Sequence, residues 1–417
     1  MDESFPFEGE LPTAADPAVR IVRDLAAARH QALLAGGCVR DLLSGRTPED
    51  YDVATDAPPE CVCEMFRSTR KVGAQFGVVL VKQHRRWVEV ATFRTDGPYA
   101  DGRRPATVTL SDARHDARRR DFTVNGMFLD PLAMKVIDYV GGRADLQARL
   151  IRAIGEPAAR FDEDYLRLLR AVRLAARLEF AIEPATLAAI RAHAPTLTQV
   201  AAERVRDELE RMFTHPRRQR AWTLLGECGL LPYLWPKASW EPDEILRIDA
   251  FLGRLPADAS FALTLAVLLA RHQPAEIQRV ARDLTLSNEE RETVVWLVAH
   301  QADLDDPGGP ALADLKRLMA SPAFASLRAL AEARYADMSD APRRQAALQA
   351  RLASVSPEVV RPAPFVTGDD LLRRGLRPGP IYKEVLELLY TQQLDETIGS
   401  RETALGMLDE LLRGRAG

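Results

Sequence analysis

The sequence predicts an α+β fold, with a small N-terminal head of mixed β-sheet and helices followed by a long all-helical remainder. Up to Ile154-Gly155, short β-rich runs alternate with helical segments and Gly/Pro turns. Beyond that point strand signals nearly vanish, and apolar residues recur at helical spacing to the end of the chain. The 417 residues are 47% hydrophobic, enough to bury more than one core.

The elements follow in order. Residues 1–15 read as a loose arm and 17–29 as an amphipathic helix. Gln31 to Ala35 is a short apolar strand, cut off by Gly36-Gly37, and Cys38 to Leu43 is one or two helical turns. Tyr51 to Ala54 is the next strand and Glu60 to Arg67 a helix. Gly77–Lys82 and Arg86–Phe93 flank a polar turn and read as a hairpin. A Gly/Pro-rich loop spans Arg94 to Pro105, and short strands recur near Met127–Leu129 and Lys135–Ile137. Helices are expected over Arg160–Leu178, Pro184–Ala192, Glu203–Phe213 and Arg218–Cys228. Pro/Gly clusters near 305–310 and 357–364 mark loops or boundaries.

Composition narrows the function. No run of about 18 apolar residues is present, so no membrane span is expected. Four cysteines in so long a chain make no disulfide framework, and a cytoplasmic location is expected. Cys61 and Cys63 have no second Cys or His pair nearby, which argues against zinc. A net charge of −4 argues against RNA binding by bulk charge, though not against a local basic surface. Of 56 basic residues only six are lysine, and arginine suits phosphate forks.

Three clusters carry chemistry. In the first, Gly36-Gly37 before a helix lets backbone N–H groups approach phosphate oxygens, and Arg40-Asp41 follows in the same short helix. Asp50 and Asp52, two apart on an expected strand, share a face and can hold one or two Mg²⁺ ions through hard oxygens. Glu89, an acid within the β-rich run Trp87-Val88-Glu89-Val90-Ala91, is the candidate third carboxylate. Taken singly, Asp-x-Asp reads more readily as a solvated turn, and Glu89 equally as a strand-edge surface residue. The second cluster is Arg119-Arg120-Asp121-Phe122-Thr123-Val124-Asn125. Its arginines can reach phosphates, while Asp121 and Asn125 are expected on one helical face, within reach of ribose hydroxyls. The third is Glu163-Asp164-Tyr165-Leu166-Arg167, at the expected start of a helix that also carries Arg170 and Arg173. An Asp acceptor beside an Arg donor can read a base edge. Cytosine and adenine each offer an amino donor next to a ring-nitrogen acceptor, whereas uracil and guanine present the opposite order. The bland reading of that pair is a helix-surface salt bridge worth little.

The order of these motifs resembles the class II tRNA nucleotidyltransferase and bacterial poly(A) polymerase family. The sequence runs Gly-Gly-x-Val-Arg-Asp, Asp-x-Asp, Arg-Arg-Asp-Phe-Thr-x-Asn, then Asp138-Tyr139-Val140-Gly141-Gly142 with Asp145-Leu146. Ile151-Arg152-Ala153-Ile154-Gly155, Glu-Asp-x-x-Arg and Glu203-Arg204-Val205-x-x-Glu208-Leu209 follow. The match is close over roughly residues 20–235 and weaker at Thr367-Gly368-Asp369-Asp370-Leu371 and Pro378-Gly379-Pro380. The resemblance implies a nucleotidyltransferase head over 1–155, a neck with a nucleotide-selecting helix over 156–235, a body over 236–360 and a tRNA-binding tail over 361–417. It implies metal binding at Asp50 and Asp52, with Glu89 as the third carboxylate. It also implies nucleotide binding at Gly36, Gly37, Arg40, Arg120, Asp121, Asn125, Asp164, Arg167, Arg170 and Arg173. Asp164 and Arg167 would act as the protein template for the incoming base. The loop with Asp101-Gly102-Arg103-Arg104 resembles the family's flexible loop, and Asp138 to Gly155 its hinge. Gly126 departs from the pattern, where alanine is usual and glycine loosens the helix slightly.

The activity implied is addition of C, C and A to the 3′ end of tRNA from CTP and ATP, with Mg²⁺. A-only addition and poly(A) synthesis share these motifs. Val72-Gly73-Ala74-Gln75-Phe76 stands where the polymerases carry a basic Gly-Arg-Arg-Phe run, and the tail after Ser400 has both signs of charge, which favours tRNA end synthesis. A non-catalytic RNA-binding protein on the same fold would be expected to have lost metal ligands, and all three carboxylates are present.

Overall fold

The computed structural model of the chain describes residues 4–72, 77–97, 107–235, 240–306, 308–336, 338–376 and 379–415. It divides into two compact units, Met1–Trp240 and Glu241–Gly417. Asp101 to Arg104, Gly73 to Phe76 and Pro378 lie outside the described residues.

The first unit holds twelve described strands. In chain order they are β1 (Ser4–Pro6), β2 (Ala32–Ala35), β3 (Asp52–Thr55), β4 (Thr69–Lys71), β5 (Val78–Gln83), β6 (Arg86–Thr92), β7 (Arg94–Asp96), β8 (Val108–Leu110), β9 (Met127–Asp130), β10 (Lys135–Asp138), β11 (Leu150–Ile151) and β12 (Ala181–Ile182). Eight of them form one sheet in the order β1-β10-β9-β2-β3-β6-β5-β4. All its pairs are antiparallel except β3 and β6, which run parallel in the register Val53↔Val90. β7 pairs with β8, and β11 with β12.

The two faces of the sheet have different uses, and side-chain alternation assigns them. Leu34, Val53, Val79, Val81, Val90 and Leu129 point to one face, where Ile21, Val22 and Leu25 of the helix Asp16–Ala27 close the core. Leu33, Ala35, Ala54 and Phe128 point to the other, against Phe93 and the helix residues Ala113 and Ala117. All four residues of β2 are therefore buried, as a central strand covered on both faces requires. Asp52 and Glu89 belong to this second face.

Several expectations need correction. The N-terminal arm is not loose: β1 pairs with β10 and Phe7 is buried in the core. β3 begins at Asp52, where pairing with Ala35 starts, so Asp50 lies ahead of the strand instead of two places along it. The helix expected over Arg160–Leu178 is two helices, Pro157–Glu163 and Arg167–Leu178, broken where Asp164 takes an extended conformation (φ −151°, ψ 104°). Asp121 and Asn125 do not share a helix, because the helix Ala113–Arg118 ends before them and only Thr123–Asn125 makes a 3₁₀ turn. Gly126 ends that 3₁₀ turn, so it loosens no helix; a Cβ there would stand 2.6 Å from Val140 Cγ2.

The Asp138-to-Gly155 segment is a tied corner. Asp138 Oδ1 accepts from the N–H of Val140 and Gly142, and Oδ2 from that of Arg143. Buried Asp145 accepts from the Thr123 hydroxyl at 2.7 Å and pairs with Arg152. Ile154 N–H donates to Asp121 O, and Thr123 N–H to Arg152 O. These bonds fasten the segment onto the Arg119–Asn125 stretch.

The second unit is helical throughout its described residues, from Pro242–Arg254 to Arg401–Arg415. Helix Phe261–Leu268 is buried on all sides. Buried Lys316 donates to Leu394 O and pairs with Glu396, both at close to 2.8 Å, which answers its charge. The Thr367-Gly368-Asp369-Asp370 motif is a capping box opening the helix Gly368–Arg373, with buried Asp370 paired to Arg401.

Gly142 tests the corner. A Cβ at this position would stand 2.3 Å from Thr123 O and 2.8 Å from Met127 Cγ. Gly142→Ala is expected to destabilise the chain by about 1–3 kcal/mol through overpacking. An unchanged midpoint in urea unfolding would contradict this packing.

Candidate active site

A cavity of about 520 Å³ opens on the second face of the sheet. Its floor follows from strand register. Val53 pairs with Val90, so one residue earlier Asp52 and Glu89 stand side by side on neighbouring strands, facing the same way. Both line the cavity. Burial by surrounding atoms, then Glu89 and Asp50, push the Asp52 carboxyl up to about 6, with Arg120 opposing. Such crowding of like charge is what a cation relieves. Asp50 is exposed and outside the cavity lining, though near enough to act on Asp52. Among the described residues no group of three His, Cys, Asp or Glu side chains is gathered to hold an ion alone. The carboxylate oxygens of Asp52 and Glu89 are hard donors of the kind that suit a divalent cation sharing its remaining positions with substrate oxygens.

Gly36 and Gly37 line the cavity at the start of the helix Gly37–Leu43. Gly36 sits at φ 76°, and a Cβ there would lie 3.0 Å from Arg120 Nη1, so the turn and the close approach both call for glycine. The Gly36 N–H is spent on Met127 O, so the amides left for an anion are those of the helix's first turn.

Nine arginines line the cavity against four carboxylates. Each arginine is held by an acid: Arg40 by Asp41, Arg94 by Asp96, Arg119 and Arg120 both by Asp116, Arg167 by Glu163. Arg170 pairs with Asp121 at 2.5 Å, Arg173 with Glu208 at 2.6 Å, Arg177 with Glu49 and Arg204 with Asp164. Most of these carboxylates stand behind the lining, so the guanidinium groups face the cavity and its field is positive despite the acidic chain. A polyanion is the fitting occupant.

The second motif forms a knot within this lining. Arg40 is buried and donates from Nη1 to Asn125 Oδ1 at 2.7 Å, while Asn125 Nδ2 donates to Asp121 Oδ1 at 3.3 Å. Asp121 and Asn125 thus meet across a turn, not along a helix. Arg120 also lies over the Phe128 ring, 5.1 Å from its centroid. Burial would push the Asp121 carboxyl up; Arg170 and Arg167 outweigh it and hold it down at about 2. Asp121 in turn holds the Arg170 guanidinium well above its ordinary value. Desolvation lowers Arg173, which Glu208 partly restores.

Asp164 and Arg167 both line the cavity, but not as an i,i+3 pair on one helix. Asp164 turns the chain ahead of the second helix by accepting from Leu166 N–H at 3.1 Å, and it takes both Nη groups of Arg204. Arg167 is buried and donates to Glu163, Arg160 O and Arg119 O. Three of its five donors are then used, which leaves two, and the Asp164 carboxylate keeps acceptor capacity.

Sequence reasoning assigned no role to Asp116, Arg204 or Glu208. Asp116 was traceable, since it stands i,i+3 and i,i+4 to Arg119 and Arg120. The Arg204–Asp164 and Glu208–Arg173 pairs join residues 40 and 35 apart, which no local pattern reveals.

Comparison with known proteins places residues 32–152 in the poly A polymerase head domain. Residues 179–240 match the "Probable RNA and SrmB- binding site of polymerase A". The CCA-adding enzyme of Levilactobacillus brevis is 32% identical over 408 residues, covering 95% of this chain and 97% of that protein. The CCA-adding enzyme of Geobacillus stearothermophilus is 43% identical over 218 residues, a match spanning 52% of this chain and about half (54%) of that protein. The crystal structure of the Bacillus stearothermophilus CCA-adding enzyme in complex with CTP superposes with a TM-score of 0.83. Its identity is 29%, and the match covers 97% of this chain and 99% of that one.

The Asp121–Arg170 pair gives a pH test. A folded-state value below the ordinary 3.8 means the pair's stabilisation is present in full above about pH 4 and is lost as pH falls towards 2. Asp121→Asn is expected to cost on the order of 2 kcal/mol at neutral pH. Its deficit in urea unfolding should shrink steadily below pH 4. A deficit independent of pH from 6 to 2.5 would contradict the ionic role.

Proposed function

The chain belongs to the CCA-adding enzyme family, and we propose that it adds C, C and A in turn to the 3′ end of tRNA from CTP and ATP, releasing pyrophosphate. The observation that carries this reading is the cavity itself, where two carboxylates at the floor meet arginines on the walls and an Asp/Arg pair at one side.

The reaction joins the tRNA 3′ oxygen to the α-phosphorus of the nucleotide and breaks the bond from that phosphorus to the pyrophosphate oxygen. Asp52 and Asp50 are the proposed holders of a divalent ion, Mg²⁺, with Glu89 completing the carboxylate set. When bound, that ion supplies positive charge to the hydroxyl and the triphosphate. The first-turn amides after Gly36 and the guanidinium of Arg120 receive phosphate oxygens, and the Gly36-Gly37 turn leaves them room. Arg40, Arg170 and Arg173 hold the wall in place through Asn125, Asp121 and Glu208. Asn125, held by Arg40 and Asp121, presents its second amide hydrogen and remaining lone pair towards the ribose, while Asp121 orders it there.

Asp164 and Arg167 read the base. The remaining Asp164 lone pairs accept from the amino group of cytosine or adenine, and the remaining Arg167 N–H groups donate to the adjacent ring nitrogen. Uracil and guanine would set N–H against N–H and carbonyl against carboxylate. Since Arg204, Glu163 and two backbone carbonyls fix both side chains, little ordering remains when a nucleotide enters.

Among the described residues no helix is long and apolar enough to cross a membrane. The four cysteines are free, which fits action in the cytoplasm.

One assay separates this activity from its relatives. tRNA ending at the discriminator base, at C and at CC is offered with CTP and ATP, singly and together. Extension of all three to CCA is expected. Extension of only the CC-ended substrate would make the chain an A-adding enzyme, and a long adenosine ladder a poly(A) polymerase. Asp52→Ala should lower the rate at least about a thousandfold with an unchanged unfolding midpoint.

A further inference from the structure

Next to the carboxylate row, the same face of the sheet carries an exposed aromatic flanked by two cations. Register places them. Arg70 pairs with Leu80, and Leu80 with Glu89, so Arg70, Leu80, Glu89 and Asp52 form one cross-strand row. Lys82 pairs with Trp87 in the next row on that face. Trp87 is thus two residues from Glu89, about 7 Å along β6. It is 37% exposed, unusual for a tryptophan. The Arg70 guanidinium lies over the indole, 4.5 Å from the ring centroid, and Lys82 Nζ is 5.7 Å from it. Among the described residues neither cation has a carboxylate within ion-pair distance, in contrast to all nine arginines of the cavity. Stacking engages the plane of Arg70 and leaves its N–H edge available.

We infer that Trp87, Arg70 and Lys82 form a platform for the acceptor RNA strand, one unpaired base resting on the indole and neighbouring phosphates meeting the two cations. An exposed indole beside unpaired cations is the chemistry that holds single-stranded nucleic acid without reading its sequence. Its place on the floor face, in the row of Glu89 and the next, suits the strand that presents a 3′ hydroxyl to Asp52 and Glu89. The platform rests on the function proposed above, and it adds a site for the acceptor, not the nucleotide.

The test uses the full chain and tRNA lacking its terminal CCA. Trp87→Ala is expected to weaken tRNA binding about fivefold or more and raise the KM for tRNA, with the KM for CTP unchanged. Trp87→Phe should restore most of the loss. The double variant Arg70→Gln/Lys82→Gln should flatten the dependence of log affinity on log salt by about 1.4. Wild-type tRNA affinity and salt slope in both Trp87→Ala and the double variant would overturn the platform and leave these residues as cover for the sheet edge. A loss that falls equally on the KM for CTP would also overturn it. Wild-type chain that binds tRNA without extending it would sink the proposed function alone, since the binding measurements still decide the platform.

Discussion

Nine guanidinium groups share a single cavity in this candidate site and must do so without driving it apart. Unpaired, they would repel one another and leave any closely held arginine desolvated at high cost. The chain answers each with a carboxylate, and it sets most of those carboxylates behind the wall. The pairing leaves a surface that is positive where a triphosphate would lie and near neutral one layer deeper. It also fixes the side chains before any ligand arrives, so binding spends little on ordering them. The pairs link distant parts of the chain as well. Asp121–Arg170 spans 49 residues and Arg173–Glu208 spans 35, so the wall and the helices behind it are a single object.

The sheet supplies the other half of the site through register. A parallel neighbour relation between β3 and β6 puts Asp52 and Glu89 side by side, although 37 residues separate them in sequence. Each strand keeps its valines on the core face, and the carboxylates fall on the cavity face by alternation. A one-residue slip of β6 would bury Glu89 and expose Val90, so the core itself guards the position of the acids. The same alternation carries Trp87 and Lys82 onto the cavity face.

The fold class was legible because strand and helix periodicities change sharply near residue 155. Glu89 read alone equally as a strand-edge surface residue, and it is the register of β6 against β3 that sets it beside Asp52 on the cavity face. Local helix geometry misled at two places. Asp164 was expected on a continuous helix, yet it bonds the Leu166 N–H and Arg204, and those bonds stabilise a break that periodicity cannot register. Asp121 and Asn125 were expected on one helical face and meet instead across a turn closed by Arg40, 85 residues away from Asn125. The roles of Asp116, Arg204 and Glu208 were hidden for the same reason, since a buried ion pair looks in sequence like a charge on a solvated helix.

On the proposed reading, the preorganised arginine–carboxylate wall positions Asp164 and Arg167 to choose the base. Single-turnover incorporation of CTP and UTP, compared in wild type and Arg167→Ala, tests it most directly. Wild type is expected to prefer CTP by at least about a hundredfold, and Arg167→Ala to collapse the preference mainly by losing CTP. Unchanged discrimination against UTP in Arg167→Ala, with the chain folded, would contradict it.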